Sequence, residues 1–344
     1  MRRLKYTFSS MMCPNYPLSI IIPIYNEERG LPALFLELER VCGKILKEYG
    51  PVEIVLVNDG STDKSWELIT KQCSFGTNYV GVNLSRNFGH QLALAAGLEI
   101  ARGDAVASLD ADLQDPPSVL LQMMEAHRQG YDVVYATRRE RGQEKFIKRI
   151  TAWLFYIFIE KLSGVPIPRN TGDFRLLSRR VLTELSRLRE THRFLRGLVP
   201  WLGFPQTQIY YDRADRSTGE THYPFRKMLL FAFDGIASMS TKPLRLAYVF
   251  SLLLFMVFVG YIFYVLYDHF IRGGELVPGW TSIMSAITIF GAIQLLMFGV
   301  FGEYIGRIYG ESKHRPLYVV RETLGFEGQK RDANQPSLFI AGKH

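Results

Sequence analysis

The chain has 344 residues, with 41 Lys and Arg against 33 Asp and Glu and a formal charge of +8. Hydrophobic residues make up 47% and charged residues 22%, enough to bury a sizeable core, which excludes a disordered chain. The three cysteines, Cys13, Cys42 and Cys73, form no CxxC; this excludes a disulfide framework and a zinc ribbon and fits a reducing compartment.

The basic start (Arg2, Arg3, Lys5) lacks an apolar core and a cleavage site, so residues 1–16 read as a flexible extension rather than a signal peptide. Leu18–Ile24 is then a short apolar strand, and Leu31–Tyr49 has helical periodicity. Val52–Val57 (VEIVLV) is β-branched and reads as a second strand, followed by a helix over Lys64–Gln72. A strand over Tyr79–Leu84, a helix over Gln91–Ala101, a strand over Ala105–Leu109, a helix over Pro117–Gln129 and a strand over Asp132–Ala136 continue the series. This alternation predicts a mostly parallel α/β sheet with helices on both faces.

Two segments have interfacial character. Phe146–Leu162 leads from Lys148 and Arg149 into Trp153–Ile159, and Phe225–Ser240 sets Met228, Leu229, Phe231, Ala232, Ile236 and Met239 along one helical side. The plainer alternative for such a segment is a helix packed within the soluble domain. Further on, no Asp, Glu, Lys or Arg occurs from Leu246 to Tyr267 or from Thr281 to Gly302. Each run is about 22 residues, and about 20 suffice to cross the hydrocarbon core as a helix. The loop between them holds only Arg272, whereas Arg226, Lys227, Lys242 and Arg245 precede the first run and Arg307, Lys313, Arg315 and Arg321 follow the second. Both termini are therefore expected on the cytoplasmic side. The expected domains are a catalytic domain over 17–224, a juxtamembrane amphipathic segment over 225–243, two transmembrane helices within 244–304 (about 245–267 and 281–303), and a cytoplasmic tail over 305–344, flexible from 322 onward.

In parallel α/β sheets, ligands sit beyond the carboxyl ends of the strands. The polar residues there are Tyr25-Asn26-Glu27, Asn58-Asp59-Gly60-Ser61 and Asp110-Ala111-Asp112. No GxGxxG and no GxxxxGK[ST] occurs, so the usual dinucleotide and P-loop fingerprints are absent. Asp110 and Asp112, one residue apart and followed by Gln114 and Asp115, repel one another unless a cation lies between them. Hard oxygen ligands suit Mg²⁺ or Mn²⁺ with positions left for diphosphate oxygens. A solvated acidic turn before the helix at Pro116-Pro117 is the alternative.

The ordered set Pro23-Ile24-Tyr25-Asn26-Glu27, Asn58-Asp59-Gly60-Ser61-Thr62-Asp63 and Asp110-Ala111-Asp112-Leu113-Gln114 resembles the inverting family 2 glycosyltransferases of GT-A fold. Ser85-Arg86-Asn87-Phe88-Gly89-His90, Asn170 to Leu176, Arg193 to Leu198, Arg213 to Lys227 and the two apolar runs narrow the resemblance to the dolichol-phosphate mannose synthase group, nearest its bacterial polyprenyl-phosphate (bactoprenol) glucosyltransferases. The likeness spans about residues 17–320. Where the family often has two aspartates, this chain has Asn58-Asp59. The QxxRW pattern of processive synthases is absent.

The resemblance implies that Pro23, Tyr25, Glu27, Asp59 and Asp110 bind the nucleotide sugar, and that Asp110, Asp112 and Gln114 hold Mg²⁺ or Mn²⁺. It implies a catalytic part for Asp112 and a base or orienting role for Asp173. Pairing of Asp173 with Arg175 or another arginine is the competing assignment. Arg86 neutralises the diphosphate or braces the acidic loop, or else is a surface arginine. Arg138, Arg139, Arg193, Arg196, Arg213, Arg216 and Lys227 are candidates for the acceptor phosphate, or else a basic face attracted to anionic lipid. His90, His192 and His222 lack metal-cluster spacing, and His90 reads as a helix-start residue.

The activity implied is inverting transfer of a hexose, glucose from UDP-glucose foremost, to a polyprenyl (undecaprenyl) phosphate at the bacterial inner (plasma) membrane, with the catalytic domain in the cytoplasm. The partners implied are a UDP-sugar, polyprenyl phosphate and the bilayer, with no nucleic acid. Mannose, N-acetylglucosamine or an aminoarabinose derivative is the alternative sugar, and a non-catalytic nucleotide-sugar-binding transport or scaffold protein the alternative class. Gly260, Gly291, Gly299, Gly302 and Gly306 favour close helix contacts and a homo-oligomer.

Overall fold

A computed structural model describes residues 16–76, 78–139, 171–188, 190, 195–212, 242–271 and 279–325. The segments expected to be interfacial, 146–162 and 225–240, lie outside the described residues. The described chain divides into two compact units. One is built on a sheet and takes in residues 316–325; the other holds the long C-terminal helices.

The sheet unit alternates as the sequence predicts through β1 (Leu18–Ile24), α1 (Leu31–Glu48), β2 (Val52–Asn58), α2 (Ser65–Phe75), β3 (Tyr79–Leu84), α3 (His90–Ile100), β4 (Ala105–Ser108), α4 (Val119–Arg128) and β5 (Val133–Arg138). It then adds β6 (Thr171–Ser178), α5 (Arg179–Arg187), α6 (Leu195–Trp201) and β7 (Gln206–Tyr211). Every residue of β1 and β2 is buried, as expected for central strands covered on both faces. Helix α1 turns Leu31, Leu34, Phe35, Leu38, Val41 and Ile45 inward at helical spacing.

The eight strands lie in the order β7-β5-β6-β4-β1-β2-β3-β8, where β8 is Val320–Leu324. β1 to β5 and β7 run one way, while β6 runs against β4 and β5, and β8 runs against β3. The chain leaves β1 toward β2 on one side and reaches β4 on the other, so a topological switch point lies between β1 and β4. The β1–β4 ladder ends at the pair Ile21 and Ser108. Pro23, beyond that end, therefore costs no ladder bond on this side, and in sheets of this kind the ligand crevice lies at such a switch point, outside the carboxyl ends.

Helices α7 (Lys242–Ile271) and α8 (Trp280–Ser312) form the other unit. Within α8, Ile289–Ser312 is long and apolar enough to cross a membrane, and Leu252–Tyr261 is a shorter apolar stretch of α7. α8 runs on to Ser312, with Arg307 and Glu303 paired at 2.8 Å one turn apart. Val320–Leu324 is then a sheet strand rather than part of a flexible segment, because the exposed edge of β3 offers it a ladder.

One buried charge escapes the apolar reading of VEIVLV. Glu53, fully buried in β2, accepts hydrogen bonds from Ser19 Oγ at 2.5 Å, Arg102 N at 2.7 Å and Arg102 Nε at 2.6 Å. A buried carboxylate persists only when so satisfied. Glu53→Ala is expected to destabilise the fold by about 3 kcal/mol, the range for breaking a buried pair from one side. Thermal unfolding of the detergent-purified chain checks this; an unchanged midpoint would refute it.

Candidate active site

The crevice collects polar residues from every neighbouring strand end. After β1, Asn26 takes a positive φ of 54°, a conformation asparagine tolerates. Its N–H donates to Ser61 Oγ at 3.0 Å, and its Oδ1 accepts from Thr62 N at 2.8 Å. Glu27 N and Glu28 N donate to Ser65 Oγ and Asp63 Oδ2, both at 3.0 Å. The loops after β1 and β2 thus hold each other. Tyr25 stands at this edge with its ring half exposed, whereas Pro23 is buried.

Asp59 is 2% exposed. Its two oxygens accept from Phe88 N at 2.7 Å and Gly89 N at 3.0 Å, so it fastens the loop after β3. Burial pushes its carboxyl up, and those two N–H groups draw it partly back. Gly60 allows this approach: its φ is +66°, and a Cβ would stand 2.3 Å from the Arg86 carbonyl carbon. Arg86 is exposed, its guanidinium lying 4.0 Å over the Phe88 ring and its Nη1 donating to Asn87 O at 2.9 Å.

The acidic loop after β4 is tied down at its far end. Asp112 is exposed and its Oδ1 accepts from Gln114 N at 3.1 Å, beside Leu113 at a φ of 54°. Gln114 and Asp115 are buried. Asp115 accepts from the Tyr211 hydroxyl and from Arg138 Nη2 at 3.2 Å, and Arg138 Nε donates to the Tyr211 hydroxyl at 3.2 Å. Arg138, expected at the acceptor phosphate, is thus engaged as a brace under the acidic loop. Burial, then the neighbouring charges, raises the Asp110 carboxyl despite His90. Burial and the charges of Asp112 and Asp63 raise Glu27.

Strand β6 brings in the opposite arrangement. Because it runs antiparallel, its first residues arrive at the carboxyl edge. Ser108 pairs with Arg175 in register, and its hydroxyl donates to Asp173 O. The Asp173 carboxylate, 6% exposed, accepts from Gln91 Nε2 at 2.8 Å, Arg175 Nη2 at 2.7 Å, Arg196 Nε at 3.2 Å and Arg196 Nη2 at 3.1 Å. Burial alone would raise it; His90, Arg175 and Arg196 outweigh that and hold it far below the usual carboxylate range.

His90 is the residue that spacing missed. It begins α3, as expected of a helix-start residue, and its Nε2 lies 3.5 Å from Asp110 Oδ1 and 3.4 Å from Asp173 Oδ2. Burial disfavours its charge, but the hydrogen bond to Asp173 and the charges of Asp110 and Asp173 raise it above the usual imidazole value. Only the three-dimensional meeting of β4, β6 and α3 shows this.

Among the described residues, no group of three or more His, Cys, Asp or Glu side chains makes a ready metal cage. The donor chemistry nevertheless suits a divalent cation that takes part of its shell from a ligand. Asp110, Asp112 and Glu27 bring acidic side chains to one sheet edge, and burial first, neighbouring carboxylates second, pushes Asp110 and Glu27 toward the proton. Of the expected acceptor-phosphate cations, Arg139 is exposed beside Asp212 at 3.5 Å and Arg196 lies on Asp173. Arg193, Arg213, Arg216 and Lys227 lie outside the described residues.

Comparison with known proteins fits this site. Residues 19–186 match the model of glycosyl transferase family 2, and residues 242–308 match the GtrB C-terminal hairpin. The chain belongs to the family 2 glycosyltransferases, with a catalytic domain of GT-A type followed by that hairpin. It is 43% identical to the glycosyltransferase YkcC of Bacillus subtilis over 91% of this chain and 95% of that one. It is 38% identical to the bactoprenol glucosyl transferase of Shigella phage SfV over 88% and 98% of the two chains, and 37% identical to the prophage bactoprenol glucosyl transferase homolog of Escherichia coli over the same shares.

The depressed Asp173 sets a pH dependence. Its folded pKa lies below the unfolded value near 4. Its ionised form therefore adds stability that is fully present above about pH 4 and is lost as pH falls toward the folded pKa. Asp173→Asn is expected to cost about 2 kcal/mol at pH 7, with the gap to the parent narrowing below about pH 4. Unfolding midpoints of both proteins across that range decide it; a gap constant with pH would refute the assignment.

Proposed function

We propose that the chain transfers glucose from UDP-glucose to polyprenyl phosphate, with inversion, at the cytoplasmic face of the bacterial inner membrane. The observation that carries this reading is the unlike treatment of carboxylates at one sheet edge. Asp173 is paired with two arginines, while burial raises Asp110 and Glu27 above the usual carboxylate range in the company of Asp112. The names borne by the Shigella phage and Escherichia coli relatives and the apolar helices α7 and α8 support a lipid-borne acceptor.

In this reading Tyr25 packs on the nucleotide, and the loops bound by Asp59 and Asn26 shape its seat. Asp110, Asp112 and Gln114 would hold a divalent cation, and Mg²⁺ or Mn²⁺ bound there supplies positive charge against the departing diphosphate. A phosphate oxygen of the acceptor forms the new bond to the anomeric carbon as the bond to UDP breaks on the opposite face, the electron pair leaving with UDP. The acceptor phosphate is already mostly dianionic at pH 7, so no strong base is needed. Asp173, locked in its ionised form, serves as a positioning anchor. It aims Arg196 and His90 at the crevice, where Arg196 and Arg139 offer charge to the acceptor.

The test uses detergent-solubilised full-length protein, polyprenyl phosphate and a panel of radiolabelled nucleotide sugars. Glycolipid is expected from UDP-glucose and an added divalent cation; its absence from UDP-glucose would refute the donor. Asp112→Ala is expected to lower transfer by at least about 100-fold while the protein still fractionates with membranes. Turnover at the parent rate would refute the metal assignment.

A further inference from the structure

Strand β8 lies beyond both matched family regions and follows α8 after a short link. It is fastened to the sheet in three ways. It pairs antiparallel with β3, Ser85 N donates to Val319 O at 2.9 Å, and the Tyr318 hydroxyl meets Glu99. Glu322 stands directly opposite Asn83 in the register.

A line of side-chain amides starts there. Asn83 Nδ2 donates to Glu322 Oε1 at 3.0 Å, Asn58 Nδ2 donates to Asn83 Oδ1 at 2.7 Å, and Ser61 N donates to Asn58 Oδ1 at 3.3 Å. Asn58 and Asn83 are buried, at 2% and 6% exposure. The direction of this line is set at one end. A carboxylate offers only acceptors, so Asn83 turns its NH₂ toward Glu322 and its oxygen toward Asn58. Asn58 must then give its NH₂ to Asn83, which leaves its oxygen for Ser61 N–H. Ser61 in turn receives Asn26 N–H through its hydroxyl. Without the acceptor at 322, Asn83 can reverse, Asn58 reverses with it, and an NH₂ then faces the Ser61 N–H.

We infer that Glu322 is a positioning residue for the donor nucleotide. Through Asn83 and Asn58, the strand that follows the helical hairpin holds the Gly60–Ser61 turn, and with it the Asn26 turn, in the shape that receives the nucleotide. The inference rests on the proposed function for the identity of that nucleotide. It also gives the Asn58-Asp59 pair a division of labour. Asp59 binds the loop after β3, while residue 58 needs both a donor and an acceptor, which an amide has and a carboxylate lacks.

The experiment measures UDP binding by calorimetry, with added Mn²⁺, on detergent-purified full-length protein and three variants. Glu322→Ala is expected to weaken UDP about fivefold, the effect of losing roughly one hydrogen bond, with the KM for polyprenyl phosphate unchanged. Glu322→Gln keeps an acceptor oxygen toward Asn83 and is expected within twofold of the parent. Arg321→Ala, the exposed neighbour at the irregularity of the β3–β8 ladder, is expected to bind as the parent does. Parent-like UDP binding by Glu322→Ala, or equal weakening in Glu322→Gln, would overturn the relay. So would weakening in Arg321→Ala that matches Glu322→Ala, since it would mark a strand effect rather than a side-chain one. Failure of the parent itself to bind UDP would overturn the functional reading and the relay with it.

Discussion

Negative charge gathered at the carboxyl edge of the sheet, and the unequal way the fold relieves it, governs the rest of the site. His90 stands between two aspartates of different fate. On one side Asp173 is buried against two guanidinium groups and a glutamine amide, and is fixed as an anion. On the other, burial first, then the charges of Asp173, Asp112 and Asp115, pushes Asp110 toward the proton. Bringing like charges together costs folding free energy, and such a cost persists where a bound cation relieves it. The arginines are spent on the carboxylate that must not change, and the crevice is left with charge to give to a ligand.

Rigidity around that crevice comes from short polar links rather than from apolar packing. Asp59 pins the loop after β3, Asn26 and Ser61 lock the loops after β1 and β2, and the Asp115–Tyr211–Arg138 set clamps the end of the acidic loop. Each link joins loops from different strands, so each depends on the parallel ladders beneath it. The fully buried β1 and β2 supply that platform. Glu53 shows that even there a charge is tolerated when Ser19 and Arg102 satisfy it.

Much of the sheet was legible because parallel βα units carry strong local signals: β-branched runs, then helical periodicity, then a polar turn. β1 through β5 follow that grammar. Thr171–Ser178 and Gln206–Tyr211 do not. β6 carries Asp173 and Arg175 among its apolar residues, and β7 alternates weakly along an exposed edge. The residues at the strand ends, Glu27, Asp59, Asp110 and Asp112, were legible as a group, since a parallel sheet gathers them whatever their partners. Their partners were not. His90 reads locally as a helix start, Arg138 as an acceptor-phosphate candidate and Glu322 as part of a tail, because each acquires its partners from a strand far away in sequence.

The two reversed strands make this general. A parallel strand delivers to the carboxyl edge the residues that end it, which sit beside the turn and look like a motif. A reversed strand delivers whatever its direction brings there: β6 its opening residues, with Asp173, and β8 the stretch from Val319 to Glu322, beside the end of β3. The sheet therefore acquires its fixed anion and its amide line from chain that a motif search along βα units passes over. Both reversed strands also follow long excursions, β6 after residues 139–170 and β8 after the helical hairpin. The carboxyl edge is thereby built partly from chain returning to the sheet.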